Sequence, residues 1–198
     1  MSKETKLSRR EQILQALAHM LENGQASKIT TANLASAVGV SEAALYRHFP
    51  SKTKMFEGLV EFIEHAVFSR INTIAKNEES GVVRCEKIIA LLLAFAERNP
   101  GLARIITGEA LIGDTARLSG RVVQFFDRIE TQLKTLLRDA EIQDGLRTNV
   151  PISLAANFMV VHATGRIGQF SRSDFKRSPT ENWTQQWQMI STAVFNKA

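Results

Sequence analysis

The stretch from Thr30 to Lys54 concentrates side chains that could do chemistry. Ser41, Glu42, Ala43, Ala44, Tyr46, Arg47 and His48 fall within about two turns of a helix, and Thr30, Thr31, Lys52 and Lys54 flank it. Such polar groups set among small alanines can meet base edges in a DNA major groove, while flanking hydroxyl and ammonium groups hold phosphates. The charge distribution agrees. The chain carries a net charge of +5, yet residues 1–54 hold eight Lys/Arg against four Glu, and the remainder holds 17 against 16. Nearly all the excess sits in the first quarter, as expected where one end meets a polyanion. A solvated basic tail accounts for the charge alone equally well.

Catalytic chemistry is not expected. His19, His48, His65 and His162 are dispersed, and no Gly-rich phosphate loop, nucleophile elbow or HExxH pattern is present. Glu61, Glu64 and His65 share a helical face, but no second Glu/His cluster accompanies them, so a solvated face is expected rather than a metal site. Cys85, the one cysteine, can form neither an internal disulfide nor a structural zinc site, and reads as an inert thiol in a reducing cytoplasm. No cofactor is implied. The N-terminus lacks the apolar stretch of a signal peptide, and no segment is apolar for the roughly 20 residues of a membrane span, so a cytoplasmic chain without membrane insertion is expected.

The elements that must position these residues read as all-α. The chain has 198 residues, 44% of them hydrophobic and 23% charged, enough for an ordinary core. Helical periodicity runs nearly throughout, and alternating strand patterns are missing. A first helix covers about Ser8 to Glu22, followed by a short pair, Ala32 to Val38 and Glu42 to His48, turning at Gly39. Phe49-Pro50 breaks the second of these, and Ser51 caps a long fourth helix to about Lys76. Further helices are expected at Val82 to Arg98, Asp114 to Asp139, Val150 to Gln169, and from Pro179 onward, with a short segment from Leu102 to Gly108 after the first of these. The two short helices form a helix-turn-helix whose Leu34, Ala35, Val38, Val40 and Leu45 bury between them, making a DNA-binding domain at 7–54, or to about 68 with the start of the fourth helix. Residues 55–198 form a helical dimerisation and partner-binding domain, for about nine helices in all.

The helix-turn-helix, with Leu45-Tyr-Arg-His-Phe49 followed by Ser51-Lys52, resembles the TetR family. Lys54 departs from that family's usual acidic residue and adds phosphate-binding charge. Gly39 to Phe56, the run from Phe95 to Gly108, and Arg172-Ser-Asp-Phe-Lys-Arg-Ser-Pro179 resemble, more specifically, its nucleoid-occlusion members. That resemblance implies a nucleoid-associated homodimer that binds palindromic chromosomal DNA, captures the C-terminal tail of the division protein FtsZ, and disrupts its polymers. Carried over by position, it implies a tail site of Phe62, Arg70, Leu91, Ala94, Arg98 and Asn99.

The residues themselves support parts of this. Apolar side chains point all around the helix near 152–167, so it needs cover on several sides; a symmetric interface of Phe158, Val161, Ile167, Trp183 and Trp187 supplies it, as would a purely internal core. Ile88 to Ala96 is an unbroken apolar run, more than one core face requires. Its Leu91–Ala94–Arg98 stripe and the Phe62–Ala66–Arg70 stripe outline a groove for an acidic-apolar peptide, unless the two helices pack on each other in the ordinary way. Two other functions fit the fold: a TetR-type transcriptional repressor released by a small-molecule ligand, and a helical interaction protein whose basic head binds acidic partners generally.

Overall fold

The computed structural model describes residues 7–24, 28–78, 80–111, 115–143 and 145–195. Among them run nine helices: α1 (Arg9–Asn23), α2 (Thr31–Val38), α3 (Glu42–His48), α4 (Lys52–Asn77), α5 (Gly81–Arg98), α6 (Pro100–Ile106), α7 (Thr115–Gln143), α8 (Ile152–Arg172) and α9 (Trp183–Val194). The all-α reading holds, and the helix-turn-helix lies where the sequence places it.

Local chemistry sets the helix starts. The Ser8 hydroxyl accepts from the Glu11 amide while the Glu11 carboxylate accepts from the Ser8 amide, a reciprocal cap that satisfies two otherwise orphaned donors. Thr30, Ser41 and Ser51 cap α2, α3 and α4, each hydroxyl accepting one amide of the first turn. Between α2 and α3, Gly39 adopts φ +71° and donates its amide back to Ala35 and Ser36, a left-handed turn that a Cβ would disfavour.

The head is α1 to α3 with the start of α4. Ile13, Leu14, Leu17 and Leu21 are buried along one face of α1, against Leu34, Ala35, Leu45 and Phe49. Burying each such side chain contributes about 1.5–3 kcal/mol, which the marginal α2–α3 pair cannot collect alone. The body is α4 to α9, with Leu118, Phe125, Ile129, Leu133, Leu137 and Ala140 of α7 turned inward at helical spacing. α6 joins the two parts. At Gly101 it meets α1 so closely that an added Cβ would lie 1.9 Å from the Ala18 carbonyl oxygen.

Some boundaries differ from expectation. α7 continues to Gln143 because Ala140, one residue past the expected stop, is buried against Gly81 of α5. α8 begins after Pro151, which sits at its N-cap rather than inside it, and runs on to Arg172. α9 starts at Trp183 instead of Pro179, because the Arg166 guanidinium donates to the carbonyls of Ser178, Pro179 and Glu181 and holds them in turns. Asn149 donates from its amide to Val194 and from its side chain to Ala193 and Phe195, tying the entry of α8 to the end of α9. No helix among the described residues is long and apolar enough to cross a membrane.

The Gly101 contact yields a test. Gly101→Ala forces α6 off the α1 backbone, a cost of about 2–3 kcal/mol that lowers Tm by roughly 5–10 °C. Gly120→Ala, at an open helical position, leaves Tm unchanged or raises it. Differential scanning calorimetry of the two variants reads the contrast.

Candidate nucleic-acid interface

α3 is held from behind and open in front. Leu45 is buried, whereas Ser41, Glu42, Ala43, Tyr46, Arg47 and His48 are exposed and Ala44 is half-buried. Tyr46 keeps 43% of its surface exposed although it is a large aromatic side chain, and no core position demands it. The flanks are braced. The Thr31 hydroxyl donates to the Glu42 carboxylate at 2.6 Å, fixing the start of α2 against the start of α3. Lys52 donates from Nζ to the Ile29 carbonyl at 2.7 Å, and burial moves its pKa down from the usual lysine value. Its charge therefore sits beside the N-termini of α2 and α4, whose free amides also favour phosphate. Lys54 is exposed but engaged by Glu57 at 2.7 Å.

Behind this face a ladder of ion pairs binds α4 to α7. Glu57 lies between Lys54 and the Arg117 guanidinium, 3.1 Å away; Glu61 pairs with Arg10 of the head at 3.2 Å and Arg121 at 3.5 Å; Glu64 pairs with Arg121 at 2.8 Å. Arg10 also stacks over Phe49, and Arg128 over Phe68. Glu61 and Glu64, weighed above as metal ligands, thus serve arginines, and no metal-holding cluster occurs among the described residues. Glu57 is the buried member. The hydrogen bond from Lys54 lowers its pKa most, Arg117 and Arg121 lower it further, and burial opposes them.

The second group of expected residues is only partly brought together. Phe62 is 48% exposed, Arg70 is exposed with its guanidinium folded back onto the Ala66 carbonyl, and Leu91 and Ala94 are half-buried where α5 lies beside α4. Phe62 and Asn99 line an apolar cavity of about 240 Å³ with Leu7, Leu14, Leu59 and Leu102. Arg98 and Asn99 line a larger, more polar depression of about 560 Å³ with Gln12, His19 and Glu22 of α1. Arg70, Leu91 and Ala94 line neither. The contribution of α1 went unnoticed in the sequence, because Leu14 belongs to the same apolar stripe that fills the head's core.

Of the residues expected at a dimer interface, Phe158 and Val161 are exposed, Trp183 is half-buried, and Ile167 and Trp187 are buried within their own chain. Trp187 stacks between Trp183 and Phe195, and Ile167 belongs to the body core. The open apolar stripe is Leu154, Phe158 and Val161 on α8, and Met189 of α9 is exposed as well. Cys85 is fully buried, and burial pushes its thiol up to about 12.

Comparison with known proteins places this geometry. Residues 13–59 match the family described as bacterial regulatory proteins, tetR family, and residues 79–194 match the tetracyclin repressor-like C-terminal domain of SlmA-like proteins. The chain is 53% identical over 186 residues to the nucleoid occlusion factor SlmA of Marinomonas sp. (strain MWYL1), covering 94% of each chain. It is 52% identical over 190 residues to that of Shewanella loihica, covering 96% of each. Among solved structures it resembles FadR from Bacillus halodurans (TM-score 0.80, 14% identity, 94% of this chain and 96% of that one). It likewise resembles a TetR transcription regulator from Haloarcula marismortui (TM-score 0.79, 16% identity, 95% and 98%). At these identities the two structures speak to the fold alone.

Two measurements check the electrostatics. Because the folded-state pKa of Glu57 is depressed, its contribution to stability is complete above about pH 4.5 and is lost as pH falls through the lower folded value. Thermal melts from pH 7 to 3 should therefore decline more steeply for the wild type than for Glu57→Gln. Cys85 should stay unreactive toward Ellman's reagent at pH 8 and titrate one thiol only on unfolding; native labelling within minutes contradicts its burial.

Proposed function

This chain belongs to the SlmA family of TetR-type DNA-binding regulators, and on that premise we propose that it is a nucleoid occlusion factor. In this reading it is cytoplasmic and nucleoid-associated, acts as a homodimer on palindromic chromosomal sites, and captures the C-terminal tail of FtsZ while bound there. The observation that carries it is the pairing of an open, core-backed α3 with a second open surface at the head–body junction, where Phe62, Arg98 and Asn99 face the head's own α1.

The mechanism follows from placement. Ser41, Glu42, Ala43, Ala44, Tyr46, Arg47 and His48 face base edges, with Tyr46 also able to reach a thymine methyl or a phosphate. Thr30, Thr31, Lys52 and Lys54 hold the backbone on either side. The Leu154–Phe158–Val161 stripe with Met189, flanked by Trp183, closes on its symmetry mate and sets two α3 helices on one duplex face. At the junction the apolar cavity takes an apolar side chain of the tail and Arg98 meets its acidic residues, while Arg70, Leu91 and Ala94 extend the track along α4 and α5. Because the site includes α1, a tail bound there senses how the head is held, and DNA binding and tail binding bias the same arrangement.

Fluorescence anisotropy of a labelled FtsZ C-terminal peptide tests this, using wild type, Arg98→Asp and Tyr46→Ala with and without the palindrome that the protein selects from a random duplex library. Arg98→Asp should abolish saturable peptide binding and leave DNA affinity within about twofold. Tyr46→Ala should weaken the palindrome by about 1–2 kcal/mol and leave the peptide bound in the absence of DNA. Absence of peptide binding by the wild type with or without DNA would overturn the adaptor reading in favour of a conventional ligand-released repressor.

A further inference from the structure

Arg104 occupies an unusual position in α6. Its side chain is 17% exposed, and its guanidinium reaches in two directions from one helix. Nη1 donates at 3.2 Å to the carbonyl of Gly24, the residue that ends α1 of the head. Nη2 donates at 2.8 Å to the Asp174 carboxylate, in the connection that leaves α8, and the group stacks 4.8 Å over the Phe175 ring. Nε is buried with no hydrogen-bond partner. One planar cation thus joins the head, the joint helix and the segment following the helix that carries the open apolar stripe.

The far anchor is a strained one. Asp174 has φ +52° and Phe175 φ +64°, a left-handed pair without glycine, and for a bulky aromatic residue that conformation is a genuine outlier. It persists because neighbours over-determine it: the Phe175 amide donates to the Phe170 carbonyl, its ring packs on Phe170, and the Arg104 guanidinium lies over the ring. Further along, Glu97 of α5 accepts hydrogen bonds from Ser178 and Thr180 while Arg166 holds three carbonyls. The Arg172–Pro179 segment is therefore a rigid bracket on the body, and Arg104 gives it a polar attachment to the head.

We infer that Arg104 is a positioning residue that fixes the angle between the DNA-binding head and the dimerisation helices, and so determines which half-site separation the dimer accepts. The inference rests on the palindrome-reading dimer proposed above. In a dimer the distance between the two α3 helices depends on how each head sits on its body. α1 packs along α6, with Gly101 setting how close they come, and α4 runs unbroken from head to body, so the head is seated by packing whose fine angle a polar tie can still bias. A cation bridging the end of α1 to the bracket narrows that angle, and its planar fork does so with less lost freedom than a lysine would.

The test uses the full chain and a series of duplexes carrying the selected palindrome with its half-sites at native separation and one or two base pairs closer or farther. A duplex with a single half-site is the reference, and wild type is compared with Arg104→Met, Asp174→Ala and Arg104→Lys. Asp174 is 74% exposed, so its replacement leaves the core intact. The wild type should show a sharp spacing optimum. In Arg104→Met and Asp174→Ala the discrimination between native and shifted spacing should fall by roughly threefold or more with single half-site affinity unchanged, and Arg104→Lys should lie between. Spacing profiles in both variants that match the wild type, or equal losses on every duplex including the single half-site, overturn the inference and leave the dimer reading standing. A wild type indifferent to spacing overturns both.

Discussion

Everything at the DNA-binding end depends on how near two helix backbones can come. α2 and α3 bury too little on each other to stand alone, so they lean on α1, and α1 is steadied from behind by α6. That backing requires Gly101, where the Ala18 carbonyl lies inside the space a methyl group would fill. A side chain there would separate α6 from α1 and open both depressions that border the joint, since Leu102 and Asn99 line the two of them. One missing Cβ thus supports α3 on one side and shapes two surface depressions on the other.

Electrostatics divides along the same line. The positive excess sits in the head, yet behind it the α4 carboxylates and α7 arginines neutralise one another in series, each glutamate shared by two cations. Partly exposed pairs of this kind are individually weak. Their arrangement matters more than their strength: Arg10 enters from the head and Lys54 from the margin of the DNA face, so the ladder couples the basic end to the body. Glu57 is buried and contacted from both sides, and its neighbours favour its ionised form.

What the sequence disclosed follows the range of the interactions. Caps at Ser8, Ser41 and Ser51 and the left-handed turn at Gly39 are local, and the helices they bound were legible within a residue or two. The outward face of α3 was legible because Tyr46, Arg47 and His48 have no core to fill. Boundaries set by distant partners were not: Ala140 extends α7 because Gly81 makes room for it, and α9 starts late because Arg166 takes the carbonyls before it. The same holds at the sites. Leu14 reads as core from its spacing and yet also lines the junction cavity, while Ile167 and Trp187 read as interface from their bulk and yet are enclosed by their own chain. Arg104 carried no signal, since its partners lie 80 residues before it and 70 after.

The length of α4 has a mechanical consequence. Its 26 residues make an unbroken rod of about 39 Å, beginning at Lys52 and Lys54 and running past α5 and α7 of the body. A rod fixed at one end magnifies angle into displacement, and a tilt of about 5° at the body end moves the other end by roughly 3 Å, close to the rise of one base pair. The seating of the head is thus sensitive to side chains far along the rod, and conservative-looking changes around it there act on the head through angle rather than through contact.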